Sequence, residues 1–358
     1  MTLTRLSLAQ FRSWPRLDLD LGGQPLAIHG ANGAGKTNIL EAVSMLSPGR
    51  GLRSAAPGDQ ARQGRDAGWR IRAVVGGRPV ETGALPGESR SVLIDDKAAP
   101  QVALGALMRV VWIVPAMDRL WTDAPETRRR FLDRITLSFH PGHADETLAY
   151  DKAMRERNRL LRDAVADGGW YRALEARMAQ AGAAITRHRL DAIGRIADAQ
   201  RGAETAFPAA TLTLLAGDGQ ADDTDEGSIA GRLATTRPRD MAAGRTLTGP
   251  HRADLGAHWG PQDMPAALSS TGEQKALLLS LVLANARALA HARPVLLLDE
   301  VAAHLDADRR AALYDEIVAL PAQALLTGTG RELFAALDGR AEFIHVRRDG
   351  GASSAEAE

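Results

Sequence analysis

Gly30-Ala31-Asn32-Gly33-Ala34-Gly35-Lys36-Thr37-Asn38 is the stretch on which the reading of this 358-residue chain turns. Gly30, Gly35, Lys36 and Thr37 stand at the spacing G-x-x-x-x-G-K-[ST] of a phosphate-binding loop. The flanks agree with it. Residues 26–29 are a short apolar run of strand type, and residues 39–46 have the composition of a helix. Strand, glycine loop and helix together aim backbone N–H groups and a helix N-terminus at one anion. The pattern predicts that residues 30–38 cradle the phosphates of ATP, with Lys36 reaching the terminal ones and the Thr37 hydroxyl ligating Mg²⁺.

A second half of such a site lies far along the chain. Val295-Leu296-Leu297-Leu298 is an apolar run of buried-strand type that ends in Asp299-Glu300. Beside a phosphate loop, the Asp at such a strand end holds Mg²⁺ through water, and the Glu is placed to orient or deprotonate an attacking water. Upstream, Ser270-Thr271-Gly272 opens a long apolar helix over 276–290. Small and hydroxylated residues at a helix start make an anion site. Ser270 with Glu273 is also an ordinary capping box. Position decides between the two, because Gly272 lies 27 residues before Asp299, with only a helix and a strand start between them. A second anion site followed by an acidic strand is the ABC-type order. In it two molecules meet head to tail, and each offers its Ser-x-Gly helix to the other's γ-phosphate. Asp306, just after the acidic pair, supplies the matching interface loop.

Composition narrows the remaining classes. The chain has no cysteine, which excludes disulfides, thiolate metal sites and cysteine nucleophiles. Its start lacks the apolar region of a signal peptide, and no apolar run approaches the roughly 20 residues that span a bilayer. The expectation is a cytoplasmic protein with no membrane partner. Acidic and basic residues balance at 44 each. Lysine occurs only at Lys36, Lys97, Lys152 and Lys275, leaving 40 arginines among the 44 basic residues. Arginine suits bidentate phosphate contacts, but a GC-rich genome produces the same bias.

The expected fold class is α/β: a P-loop head of ABC type with a β-rich flank and a short, mainly helical arm. Residues 1–116 and 246–358 are read as the head and 117–245 as the arm. Residues 2–21 read as two strands joined around 11–15, with Leu3, Arg5 and Ser7 alternating against Thr4, Leu6 and Leu8. Arg12 sits at that turn, where it is placed to point toward the nucleotide. Residues 49–68 read as a surface loop, in which Gln60 and Gln63 are candidates for a contact to Mg²⁺ or its water. Within the arm, Leu160, Leu161, Ala164 and Val165 form one apolar stripe and Leu174, Met178, Ala181 and Ile185 another. Gly168-Gly169 between them suggests two antiparallel helices. Residues 151–201 carry eleven Lys/Arg and seven Asp/Glu. Residues 218–226 read as an acidic loop, 229–236 as a short helix and 349–358 as a disordered tail.

Assembled, these segments resemble the RecF family, bacterial recombination-repair ATPases related to SMC proteins. The resemblance runs nearly end to end. It rests on Phe11-Arg12-Ser13, on Asn32 with 35–38, and on Thr127-Arg128-Arg129-Arg130-Phe131-Leu132-Asp133. It continues in Thr248-Gly249-Pro250-His251-Arg252-Ala253-Asp254-Leu255, in 268–275, and in 297–300 with His304-Leu305-Asp306. The resemblance implies an ATP-dependent homodimer with weak, DNA-stimulated ATPase activity. It implies binding to single- and double-stranded DNA, favouring gapped duplex or single-/double-strand junctions, and cooperation with RecR and RecO in loading recombinase. By position it implies Lys36 and Thr37 on phosphate and Mg²⁺, Asp299 on Mg²⁺ and Glu300 on water. Ser270, Thr271 and Gly272 fall on the partner's ATP, and Asp306 on the dimer interface. One departure is Thr327-Gly328-Thr329, where the broader ABC pattern has a switch histidine, so γ-phosphate sensing there would use a hydroxyl.

Three rivals share the loop. A transporter-type ATPase subunit would normally have a shorter head, and nothing in 117–245 suggests docking on a membrane partner. A full-length SMC-type protein needs hundreds of residues of heptads between the motif halves. A small-molecule P-loop kinase should lack both Ser270-Thr271-Gly272 and the Asp299-Glu300 pair.

Overall fold

The computed structural model describes residues 2–63, 67–217, 223–260 and 263–358, so residues 218–222 of the expected acidic loop lie outside the described ones. The chain divides into two compact units. The first comprises Met1–Asp118, Ala203–Phe207 and Leu278–Glu358, and the second Arg119–Gly202 and Pro208–Leu277. The helical segment was expected to end at 245. Instead strand Ala210–Leu215 pairs with strand Asp254–Trp259, which draws residues up to 277 into the second unit.

Among the described residues, a mixed six-stranded sheet organises the first unit. Its order is Ala352–Ala357, Glu342–Asp349, Leu26–His29, Gln323–Gly328, Val295–Leu298 and Val110–Ile113. All neighbours are parallel except the first pair. Leu26–His29, Val295–Leu298 and Val110–Ile113 are buried at every position. Strands covered on both faces read as continuous apolar runs, which is why these were visible in the sequence. Glycine loop and acidic pair both follow carboxyl ends of parallel strands, with Gln323–Gly328 between them. That is where open α/β sheets place their ligands.

The last strand corrects the expectation of a disordered tail. Residues 349–358 are polar or small, yet Ala352–Ala357 pairs antiparallel with Glu342–Asp349, through pairs from Ile344 opposite Ala357 to Asp349 opposite Ala352. Gly350 and Gly351 both have positive φ and make the turn. The flank is a separate antiparallel sheet, Trp14–Asp20, Leu3–Phe11, Trp69–Val75, Arg78–Ala84, Ser91–Ile94 and Lys97–Ala98. In its long strand the register shifts between Leu3 and Arg5. This bulge puts Leu3 on the buried face with Leu6, Leu8 and Phe11, where strict alternation had set it opposite Leu6 and Leu8.

The second unit packs helices Pro125–Phe139, His143–Arg162, Gly168–Arg201 and Glu226–Ala243 with a small sheet of Met264–Pro265, Asp254–Trp259 and Ala210–Leu215. Helix Glu226–Ala243 is much longer than the 229–236 expected, because Pro238 is tolerated inside it. His143–Arg162 and Gly168–Arg201 run antiparallel. Arg157 meets Glu175, and a Cβ on Gly182 would touch Tyr150, pairs nested around one turn. The stripe Leu174, Met178, Ala181 and Ile185 is buried as expected. The other stripe is not as expected: the helix ends at Arg162, Ala164 takes a φ of 51° and is exposed, and the buried line is Tyr150, Ala153, Arg157 and Leu161. An arginine in a core position hides that periodicity. Among the described residues no helix is long and apolar enough to cross a membrane.

Candidate functional site

The phosphate loop is shaped by what its glycines touch. Gly30 has a φ of 147°, and a Cβ there would fall 2.1 Å from the Val346 carbonyl oxygen. Gly33, at 77°, opens onto free space. Lys36 follows at the start of helix Lys36–Ser44 and is 3% exposed. Its ammonium donates to the carbonyls of Gly30 at 2.7 Å and Ala31 at 3.0 Å. Burial pulls its pKa below the ordinary lysine value, while Glu300 and Asp299 oppose that shift.

Asp299, 5% exposed, gathers the chemistry. Its Oδ1 accepts from the Thr37 hydroxyl at 2.8 Å and from the Thr327 hydroxyl at 2.7 Å. Thr327 Oγ1 in turn accepts the Glu300 N–H at 3.0 Å, and Glu300 has a φ of 52°, rare for a non-glycine residue. The Thr327 hydroxyl, at the position where the switch histidine was missing, is thus engaged with the acidic pair, while Thr329 is exposed. Thr327 lies within strand Gln323–Gly328, which is buried at every position.

These groups fit a Mg²⁺-polyphosphate. The Thr37 hydroxyl and the buried Asp299 carboxylate meet at one position, and the buried Lys36 ammonium is close enough to feel the Asp299 and Glu300 charges. Among the described residues no group of three or more His, Asp or Glu could hold a metal ion. Mg²⁺ keeps several waters and takes phosphate oxygens, so two protein ligands such as Thr37 and Asp299 would be enough to hold it.

The other expected site residues are placed as follows. Asn38 donates through Nδ2 to Ser13 Oγ at 2.8 Å. Arg12 is engaged with the helix that follows the loop. It is bound bidentately to the buried Glu41 of the loop's helix, at 2.9 and 2.6 Å, and Arg53 holds the same carboxylate at 3.0 Å. Gln60 is buried with Nε2 against Met45 sulfur at 3.3 Å, and Gln63 is exposed. Ser270, Thr271 and Gly272 are exposed at the start of helix Thr271–Ala288, and a Cβ on Gly272 would meet nothing. The capping box is also formed. Ser270 N–H donates to Glu273 at 2.8 Å, and Glu273 N–H donates to Ser270 Oγ at 3.3 Å. Asp306 caps helix Ala307–Ala319 by accepting the Arg309 N–H at 2.8 Å, with its side chain largely exposed.

The two most distinctive segments, 127–133 and 248–255, meet each other inside the second unit. Arg128 binds Asp254 bidentately at 2.8 and 2.7 Å, and Arg129 donates to the Ala253 carbonyl at 2.8 Å. Arg189 joins them from the long helix, donating to Asp133 at 2.8 Å and to the Pro250 carbonyl at 2.8 Å. Sequence reasoning missed Ser13, Glu41, Thr327's partner role and Ser353. A carboxylate at a position of the loop's helix that should be apolar, Glu41, was the one available signal.

A phosphate loop and an acidic strand end brought together by a mixed sheet, with an antiparallel flank and an exposed Ser-Thr-Gly helix start, define an ABC-type P-loop ATPase fold. The family described as AAA domain matches residues 5–63. DNA replication and repair protein RecF of Mesorhizobium japonicum is 45% identical over 96% of this chain and 96% of that protein. RecF of a Caulobacter species is 46% identical with the same coverage of both. The chain belongs to the RecF family. Among solved structures, a recombination mediator protein RecF bound to ATPrS aligns over 99% of this chain and 98% of its own, at a TM-score of 0.83 and 20% identity. An Smc head domain from Pyrococcus furiosus aligns over 99% and 96%, at 0.58 and 17%. Both likenesses bear on the fold.

Proposed function

We propose that this chain is an ATP-gated, DNA-binding protein of replication and recombinational repair, acting in the cytoplasm as a clamp rather than a fast catalyst. One observation carries the reading. Thr37, Thr327 and Glu300 are organised around Asp299, while the Ser270–Gly272 helix start stands exposed in the same molecule. In the expected head-to-tail homodimer that helix start completes a partner's site, and Asp306 lies in the interface. The Gly30–Asn38 loop and Lys36 would hold the phosphates of ATP, and Thr37 with Asp299 would hold Mg²⁺. Bound Mg²⁺ would neutralise charge on the terminal phosphates. Glu300 would orient the attacking water and accept its proton. Slow hydrolysis would then release the dimer.

The RecF relatives are named for DNA replication and repair, and solved RecF structures are titled as recombination mediators of the RecFOR pathway with ATP or ATPrS. These names support an ATP-dependent role in DNA repair; to it the family resemblance adds DNA-stimulated hydrolysis, binding to gapped or junction DNA, and work with RecR and RecO in loading recombinase. The discontinuous first unit would be the ATPase head and the second unit the arm. The test is light scattering with Mg²⁺ and ATP. Wild type should dimerise, Lys36→Ala should remain monomeric, and Glu300→Gln should accumulate dimer. A Glu300→Gln protein that binds ATP yet stays monomeric would sink the composite-site reading and favour a transporter-type or single-chain ATPase.

A further inference from the structure

The final strand brings one hydroxyl beneath the phosphate loop. Ser353 is 4% exposed, and its Oγ lies 2.7 Å from Ser13 Oγ and 2.5 Å from the Ala34 carbonyl oxygen. Ser13 Oγ also accepts from Asn38 Nδ2 at 2.8 Å, and Asn38 Oδ1 accepts from Arg53 at 2.8 Å. Each serine has one proton to give. A carbonyl only accepts, so Ser353 donates to Ala34. An amide nitrogen only donates, so Ser13 receives from Asn38 and passes its own proton toward Ser353. The bonds run one way, from Asn38 through Ser13 and Ser353 to Ala34. Both ends of the run belong to the phosphate loop and its helix. The two hydroxyls come from opposite ends of the chain, the turn after the first strand and the last strand.

The backbone makes the same connection. Ser353 N–H donates to the Ser13 carbonyl at 2.8 Å, and Trp14 Nε1 donates to the Gly35 carbonyl at 3.1 Å. Gly35, with a φ of 112°, has no room for a side chain, since a Cβ would lie 2.5 Å from Ser353 Oγ and 2.7 Å from Ser13 Oγ. The loop has therefore been fitted against this hydroxyl pair on its inner side.

We propose that Ser353 is a positioning residue of the nucleotide site, holding the Ala34 carbonyl through a directed hydroxyl chain with Ser13, an inference that rests on the ATP-binding reading above. Lys36, Thr37, Asp299 and Glu300 are not members of the chain. Removing the Ser353 hydroxyl leaves the reacting groups intact and the Ala34 carbonyl buried without its donor, and the loop relaxes.

The test uses the full chain with Ser353→Ala, Ser13→Ala, their double variant, and the exposed neighbour Ser354→Ala as control. Binding of a fluorescent ATP analogue, steady-state hydrolysis and melting without nucleotide are measured on each. Ser353→Ala should raise Kd and KM for ATP about tenfold, the effect of one buried hydrogen bond. Its kcat should stay within about twofold, and the nucleotide-free Tm within about 3 °C. Ser13→Ala should show part of the same loss, and the double variant should be little worse than Ser353→Ala, as members of one network are not additive. Wild-type ATP affinity in Ser353→Ala, alongside loss of binding in Lys36→Ala, overturns this inference and leaves the nucleotide reading standing. Wild-type protein that binds no ATP overturns both. Should Ser353→Ala not fold, Ser13→Ala carries the comparison, and its binding ATP as wild type does is the overturning result.

Discussion

Arg157 shows how a single side chain holds the second unit together. Fully buried, it donates to Glu175 at 3.1 Å, Asp240 at 2.8 Å, Thr246 at 2.8 Å and the Leu233 carbonyl at 3.0 Å. A buried ion pair gains little over apolar packing, but breaking one strands the partner charge. Glu175 would keep Arg237, whereas the buried Asp240 would lose Arg157, the cation it is paired with. Arg157→Ala is expected to cost about 3–5 kcal/mol, read as a lower urea midpoint. His251 sets a pH limit in the same unit. Burial pushes its pKa down to about 4, opposed by its bond to the Thr246 carbonyl and reinforced by Arg252 and Arg129. Burial also raises the Tyr150 pKa, so the phenol stays protonated and donates to His251 Nδ1 at 2.9 Å. The unfolded chain therefore binds a proton between about pH 6.5 and 4 that the folded chain refuses, and stability falls as pH falls through that window. The loss should reach up to about 3 kcal/mol by pH 4, and His251→Gln should flatten it in urea titrations across pH.

At the scale of elements, strand pairing and loop geometry depend on one another. Glu342–Asp349 runs beside Leu26–His29, and the Val346 carbonyl packs where any side chain at Gly30 would be. Gly30→Ala should therefore disturb both the strand pair and the loop. The expected outcome is a destabilisation of at least about 2 kcal/mol by thermal melting, together with lost ATP binding. The parallel strands were legible because both faces are covered, and the glycine loop because its spacing is rigid. The last strand was not. Its residues are small, polar or charged, and the edge of Glu342–Asp349, together with Ser13 and the Ala34 carbonyl, gives them partners. Helix Thr271–Ala288 was legible at its start, where capping box and signature share residues. Geometry confirms the box, and the anion role belongs to the proposed head-to-tail dimer.

For the whole molecule, the proposed function depends on assembly and charge. Net charge is zero, so any affinity for DNA has to come from local arginine surfaces and not from a general field. Binding to gapped duplex with ATP should fall steeply and log-linearly with salt, at a slope near −0.9 per phosphate contacted. Salt-independent binding, or none at low salt, would count against the DNA reading. The arginines visible in the described residues are often committed: Arg128, Arg157 and Arg189 hold the second unit, and Arg12 holds Glu41. Part of the arginine excess is therefore architectural.

The sequence by itself determined the α/β class, the phosphate loop, the acidic pair and the exposed Ser-Thr-Gly helix start. Each is a local pattern in which spacing or continuous apolarity is itself the physical requirement. Tertiary structure alone decided that Arg12 rests on Glu41, that Thr327 links Asp299 to the Glu300 backbone, and that Ser353 reaches the loop. Those contacts join residues separated by tens to hundreds of positions, and their side chains are polar groups that no periodicity marks. A polar residue in a sequence does not say whether water or another residue satisfies it; only the packed sheet, with water excluded, names its partner.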